Sequence, residues 1–239
     1  MPGQSAPPPV SAPAESRAVA ALAGWLAQTR PADIPATTMA RAGDCLLDAL
    51  GAALAGRGAG SSRAVAQVVL ATMRDGPARL WFDGRTAHPV AAATANAMAA
   101  TALDIDDGHR QAAGHPGAAA IAAACAVAEA RGATLPDLLA AIVVGYEAAI
   151  RVALSRVAEH HASTVSGRWS GVGAAAAAAH LSGLPAGTMA QAMLIAEQHA
   201  PRPAPALTHG FAGSDVKEGI AWSVQSGLMA VALAQAGFR

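Results

Sequence analysis

Polar and apolar positions alternate with a helical period along most of this chain. Val19, Leu22, Trp25 and Leu26 form one apolar stripe, and "PADIP" then supplies a turn whose Pro35 suits the first turn of the next helix. That helix carries Met39, Leu46, Leu47, Leu50 and Leu54 and runs out in the Gly-rich "AGRGAGSS". A third spans Arg63 to Met73 and stops at "RDGPA". "ARLWFDGRTAHP" is the one stretch that reads as extended, a short strand or hairpin with Asp83-Gly84 at its turn. From Val90 onward the pattern predicts helices over 90–102, 117–131, 135–156, 169–183, 187–199 and 215–236. Gly132, Pro136-Asp137 and "SGLPAGT" mark boundaries between them. The expected fold is all-α with at most one short β-hairpin, and no internal repeat or change of composition marks a second domain.

Composition sharpens this picture. With 53% hydrophobic residues the chain can bury a sizeable core, and with 3% aromatic residues that core must be packed by Ala, Leu and Val, so helices approach closely. The formal net charge is zero, which gives no basic footprint for nucleic acid or anionic lipid. "MPGQSAPPPVSAPAES" has neither a basic start nor an apolar run, and reads as a disordered Pro/Ala-rich tail over residues 1–15 ahead of a helical domain over 16–239. Alanine is too weakly apolar for "GAAAAAAHL" to span a membrane, so a soluble, cytoplasmic protein is expected. Cys45 and Cys125 sit in apolar helical patterns without metal-ligand spacing, which reads as two buried thiols and no disulfide.

Polar chemistry concentrates in "LDIDDGHRQAAGHPG", residues 103–117. An EF-hand loop needs Gly at position six and Glu at twelve, whereas Gly108 is fifth and His115 twelfth. No HExxH or paired-Cys spacing supports zinc. A capped, solvated turn fits, since Asp104, Asp106 and Asp107 can accept from free amides and Pro116 can open the next helix. A catalytic loop fits as well: His115 would be the acid/base, and a carboxylate such as Asp104 would fix its tautomer. Arg110 adjoins the motif and can recruit an anion or simply be solvated. Against fifteen arginines there is one lysine, Lys217, a place where a compact ammonium is wanted or a survivor of chance on a helix surface.

Taken in order, "CLLDALGAALAG" (45–56), "TANAMAATALDIDDGHRQAAGHPGAAAIAAACAVAEA" (94–130), "LLAAIVVGYEAAIRV" (138–152), "GVGAAAAAAHLSGL" (171–184) and "VKEGIAWSVQSGLMAVALAQAGF" (216–238) resemble the MmgE/PrpD family. That resemblance implies the family's helical first domain, without its α+β lid, and chemistry of the 2-methylcitrate dehydratase or cis-aconitate decarboxylase kind. It implies catalytic roles for His115 and Asp104, substrate binding by Lys217 with Asp107 and Arg110 nearby, and no metal or organic cofactor. It also implies a small di- or tricarboxylate substrate and dimerisation through the helical part, and it leaves open whether the chain acts alone or with a separately encoded lid chain as a further partner. The chain departs from the family pattern at Gly108, where Thr is usual, at Thr101, where His is usual, and near Thr164, where another His falls. A non-catalytic dimerisation module, a truncated paralogue or one subunit of a split enzyme is the competing expectation.

Overall fold

The computed structural model describes residues 14–156, 166–201 and 219–239. Its elements follow the helical periodicity closely: α1 (Ala14–Gln28), α2 (Ala36–Gly56), α3 (Gly60–Thr72), α4 (Pro89–Thr101), α5 (Gly117–Arg131), α6 (Leu135–Leu154), α7 (Ser170–Leu181), α8 (Ala186–Gln198) and α9 (Ile220–Gln235). Between α3 and α4, β1 (Ala78–Arg79) and β2 (Thr86–Ala87) pair antiparallel, with Gly84 at φ +84° in the turn. The fold is mainly α, with the hairpin as its one sheet among the described residues. The expected tail at 1–15 falls almost wholly outside the described residues, and so does the 215–218 part of the last expected helix.

Local chemistry explains the boundaries. Thr134 and Asp137 form a capping box at the start of α6, and Gly132 closes α5 at φ +63°. Pro35 and Pro116 were expected inside the first turn of their helices. Each stands one position earlier, as the N-cap. His88 caps α4 by accepting from the Val90 amide at 3.3 Å.

The core is built from alanine. α4, α5 and α7 bury almost every residue, whichever side it points to, which places them at the centre of the bundle. α7 packs against α5, α6 and α9, while α4 lies against α2, α3, α5 and α9. Such packing needs small residues at the crossings: a Cβ on Gly145 would come within 2.8 Å of Ala120 Cβ, and one on Gly173 within 2.6 Å of the Gly145 carbonyl. α2 illustrates the same rule in reverse. Its buried positions are Ala42, Ala49, Ala52, Ala53 and Gly56, while Leu47 and Leu54 are exposed. No described helix is long and apolar enough to cross a membrane. Both cysteines are free thiols, Cys125 buried and Cys45 half-buried rather than fully so.

Candidate active site

The loop from α4 to α5 carries the site. Where α4 ends, Asp104 takes a left-handed conformation at φ +58°, which a short acidic residue tolerates, and turns the chain away from the helix axis. The loop then folds on itself, with the His109 amide donating to the Gly114 carbonyl at 2.9 Å. The Ser166 hydroxyl accepts from the His115 amide at 2.9 Å and so ties the loop's end to the chain ahead of α7.

Asp107 anchors this loop. Its carboxylate accepts from the Tyr146 hydroxyl on α6 at 2.9 Å and from the Gly117 amide at 3.1 Å. The second bond satisfies a free donor at the start of α5, whose N-cap residue Pro116 has no side-chain acceptor to offer. Position 117 must be glycine, because a Cβ there would collide with the Asp107 carboxylate and the Tyr146 hydroxyl. The Asp107 amide in turn donates to Asp48 on α2 at 2.9 Å. Burial raises the Asp107 pKa, opposed by the Tyr146 hydrogen bond. The Tyr146 pKa is raised as well, first by burial and then by the Asp107 charge, so the phenol stays a donor.

With the loop held, His115 has a defined tautomer. Its Nδ1 lies 2.9 Å from the Asp107 carbonyl oxygen, which can only accept, so Nδ1 carries the proton and the neutral ring's basic nitrogen is Nε2. Asp104 Oδ1 stands 3.6 Å from Nε2, and Asp106 Oδ2 stands 3.5 Å from Nδ1. The Asp106 side chain is 1% exposed and its carboxylate has no hydrogen bond among the described residues. Desolvation raises its pKa to about 6, with His115 pulling the other way. The Asp104 side chain, by contrast, is 62% exposed, and His115 is 20% exposed, so the imidazole faces solvent on the Asp104 side.

Of the residues singled out in the sequence, Asp104, Asp107 and His115 come together. Arg110 is exposed, and no described hydrogen bond or ion pair joins its guanidinium to the cluster. Lys217 lies outside the described residues, as do His160, His161, Thr164 and His209. The tautomer is set by the main chain of Asp107, where the sequence suggested the Asp104 carboxylate. Sequence reasoning gave no role to Asp106 beside the histidine, or to Tyr146, Asp48 and Ser166. One signal was present for Tyr146, as the chain's sole tyrosine. Glu147 and Arg151, from the same "GYEAAIR", form an ion pair at 2.8 Å on the α6 surface, with Arg151 over the Trp25 ring. Asp104, Asp106 and His115 each offer an atom within 4.8 Å of the others, a set that includes possible metal-ligand types. His115 Nδ1 donates to a carbonyl, which fixes the ring and leaves Nε2 as the nitrogen that can take a proton or a ligand.

The fold and the cluster together define an all-α protein with a histidine clamped among aspartates on a loop between two buried helices. The chain belongs to the MmgE/PrpD family, whose N-terminal domain profile matches residues 20–239. A relative in Aspergillus oryzae (strain ATCC 42149 / RIB 40), described as cis-aconitate decarboxylase-like protein oryM, is 30% identical over 145 residues. That match covers 58% of this chain and 30% of the relative.

Proposed function

We propose that this chain carries the acid/base half of a lyase acting on a small di- or tricarboxylate, in the manner of 2-methylcitrate dehydratases and cis-aconitate decarboxylases. The observation that supports this best is the His115 ring, proton fixed on Nδ1 by the Asp107 carbonyl and Nε2 turned towards the exposed side of the loop. In a dehydration, Nε2 takes the proton from the carbon beside a substrate carboxylate, and the hydroxyl on the neighbouring carbon leaves as water after protonation. In a decarboxylation, carbon dioxide leaves and the imidazolium delivers a proton to the carbanion that remains. Asp104 and Asp106 stabilise the imidazolium in both cases, each within 3.6 Å of a ring nitrogen. Lys217 supplies the cation for a substrate carboxylate, with Arg110 drawing anions towards the loop. A homodimer in the cytoplasm is part of the same proposal.

A second reading, in which the site is completed by another polypeptide, is favoured by Leu103 and Ile105. These flank Asp104 and are 49% and 55% exposed, apolar surface beside the cluster that a further polypeptide could cover. NMR of the purified chain with 2-methylcitrate, citrate and cis-aconitate in turn separates the two readings. Product signals that vanish in His115→Ala are the expected result. Binding without turnover, seen as shifts of the His115 ring signals, would support the second reading. Neither binding nor turnover by a folded chain would overturn both.

A further inference from the structure

Five of the fifteen arginines fall within residues 57–85, and four of them converge on one cavity. It holds about 520 Å³ between the end of α2, the outer face of α3, the hairpin and α4, and shares no lining residue with the His115 cluster. Arg57, Arg63, Arg74 and Arg85 contribute the positive charge, and Asp83 is the sole acid among the lining residues. Asp83 is paired with Arg85, and that pairing holds its carboxyl below the usual range. Three cations are therefore left without a compensating acid in the wall.

Two of these are pre-oriented. Arg57 donates to the Phe82 carbonyl at 2.9 Å, and Arg63 donates to the Gly58 carbonyl. Both acceptors are neutral, so the bonds fix the guanidinium groups in place without cancelling their charge. Arg74, two residues past the end of α3, has no hydrogen bond or ion pair to any described residue. Leu70, Leu80, Ala95 and Ala99 line the remainder with apolar surface, beside the half-buried Trp81. A concave, low-dielectric wall focuses the field of such a cluster. The volume suits a small molecule rather than a macromolecular surface.

We propose that this cavity is a second anion site, binding a small multiply charged anion through guanidinium forks on its carboxylate or phosphate groups, with its carbon body over Trp81 and Leu80. The site is independent of the chemistry proposed at His115. Calorimetric titration of the full chain with citrate in one arm and inorganic pyrophosphate in the other tests it, and the tighter arm identifies the source of the charge. In at least one arm a site that weakens with added salt is expected, retained in His115→Ala, where any further citrate site at the loop would be lost, and retained in Arg41→Ala, an exposed residue sixteen positions back along α2 from Arg57. Arg74→Ala, which removes no bond to any described residue, is expected to weaken binding about tenfold with an unaltered thermal midpoint, and Arg74→Glu to abolish it. Absence of binding in both arms by a folded chain would overturn the proposal. So would binding lost in His115→Ala and retained in Arg74→Glu, because it would place the anion at the loop. Failure of turnover with the calorimetric result intact would count against the lyase reading alone.

Discussion

Asp106 is the residue at which burial and charge conflict most directly. Its folded-state pKa is raised from 3.8 to about 6, so the fold favours the neutral acid. That contribution to stability is fully present below 3.8 and is lost as pH rises through about 6. The ionised form then costs on the order of 3 kcal/mol at neutral pH. Asp106→Asn cannot ionise, so its thermal midpoint should gain on that of the unsubstituted chain as pH is raised from about 4 to about 7. A gap that stays constant with pH would mean that Asp106 does not titrate as a buried acid. Tyr146 offers the complementary test. Tyr146→Phe leaves the ring in place but strands a buried acceptor on Asp107, which should lower stability by about 1–3 kcal/mol in denaturant titration. It should also disturb the His115 ring signals, because Asp107 holds both Tyr146 and the histidine. Two other described histidines meet bland partners. His180 donates from Nδ1 to the Leu26 carbonyl at 3.1 Å, and His199 meets the Phe238 ring edge-on.

At the scale of elements, the helices were legible because their signals are local. Apolar period, Gly132 in the left-handed region and the start of α6 all act within a few residues, and α5 occupies the 117–131 span that the pattern predicts. Which face of each helix is buried was less legible. Large apolar residues draw the eye on α2, yet Leu47 is 69% exposed while Ala49 and Ala53 are buried, because close helix approach rewards small side chains. Gly145 on α6, packed against α5 and α7, is one such case. Gly145→Ala places a methyl 2.8 Å from Ala120 Cβ and should destabilise the protein by about 1–3 kcal/mol, measured by chemical denaturation. An effect within error there would show that α6 can move away from α5 at little cost. Thr134→Ala, which removes the capping box of α6, should cost about 1 kcal/mol in the same assay.

For the molecule as a whole, α9 closes the bundle. It packs against α4, α5, α7 and α8 and buries Ile220, Val224, Leu228 and Val231. A chain ending before Ile220 should therefore lose cooperative unfolding, and a sharp thermal transition in that truncation would show that the other helices form a core without it. The sequence by itself determined the helix content, the place of the hairpin and the family, since each rests on order and spacing along the chain. It also brought Asp104, Asp107 and His115 into view, because they fall within twelve consecutive residues, 104–115. Only the tertiary structure decided their roles. Three nearly adjacent aspartates look alike in sequence, yet Asp104 ends exposed, Asp106 ends buried beside the histidine, and Asp107 ends bonded to Tyr146 from a helix 39 residues on. The four arginines around the second cavity are likewise scattered in sequence and meet only when α2, α3, the hairpin and α4 pack together. Burial and long-range hydrogen bonding decide which carboxylate holds a proton and which holds a loop, and both arise from contacts between elements that local spacing does not encode.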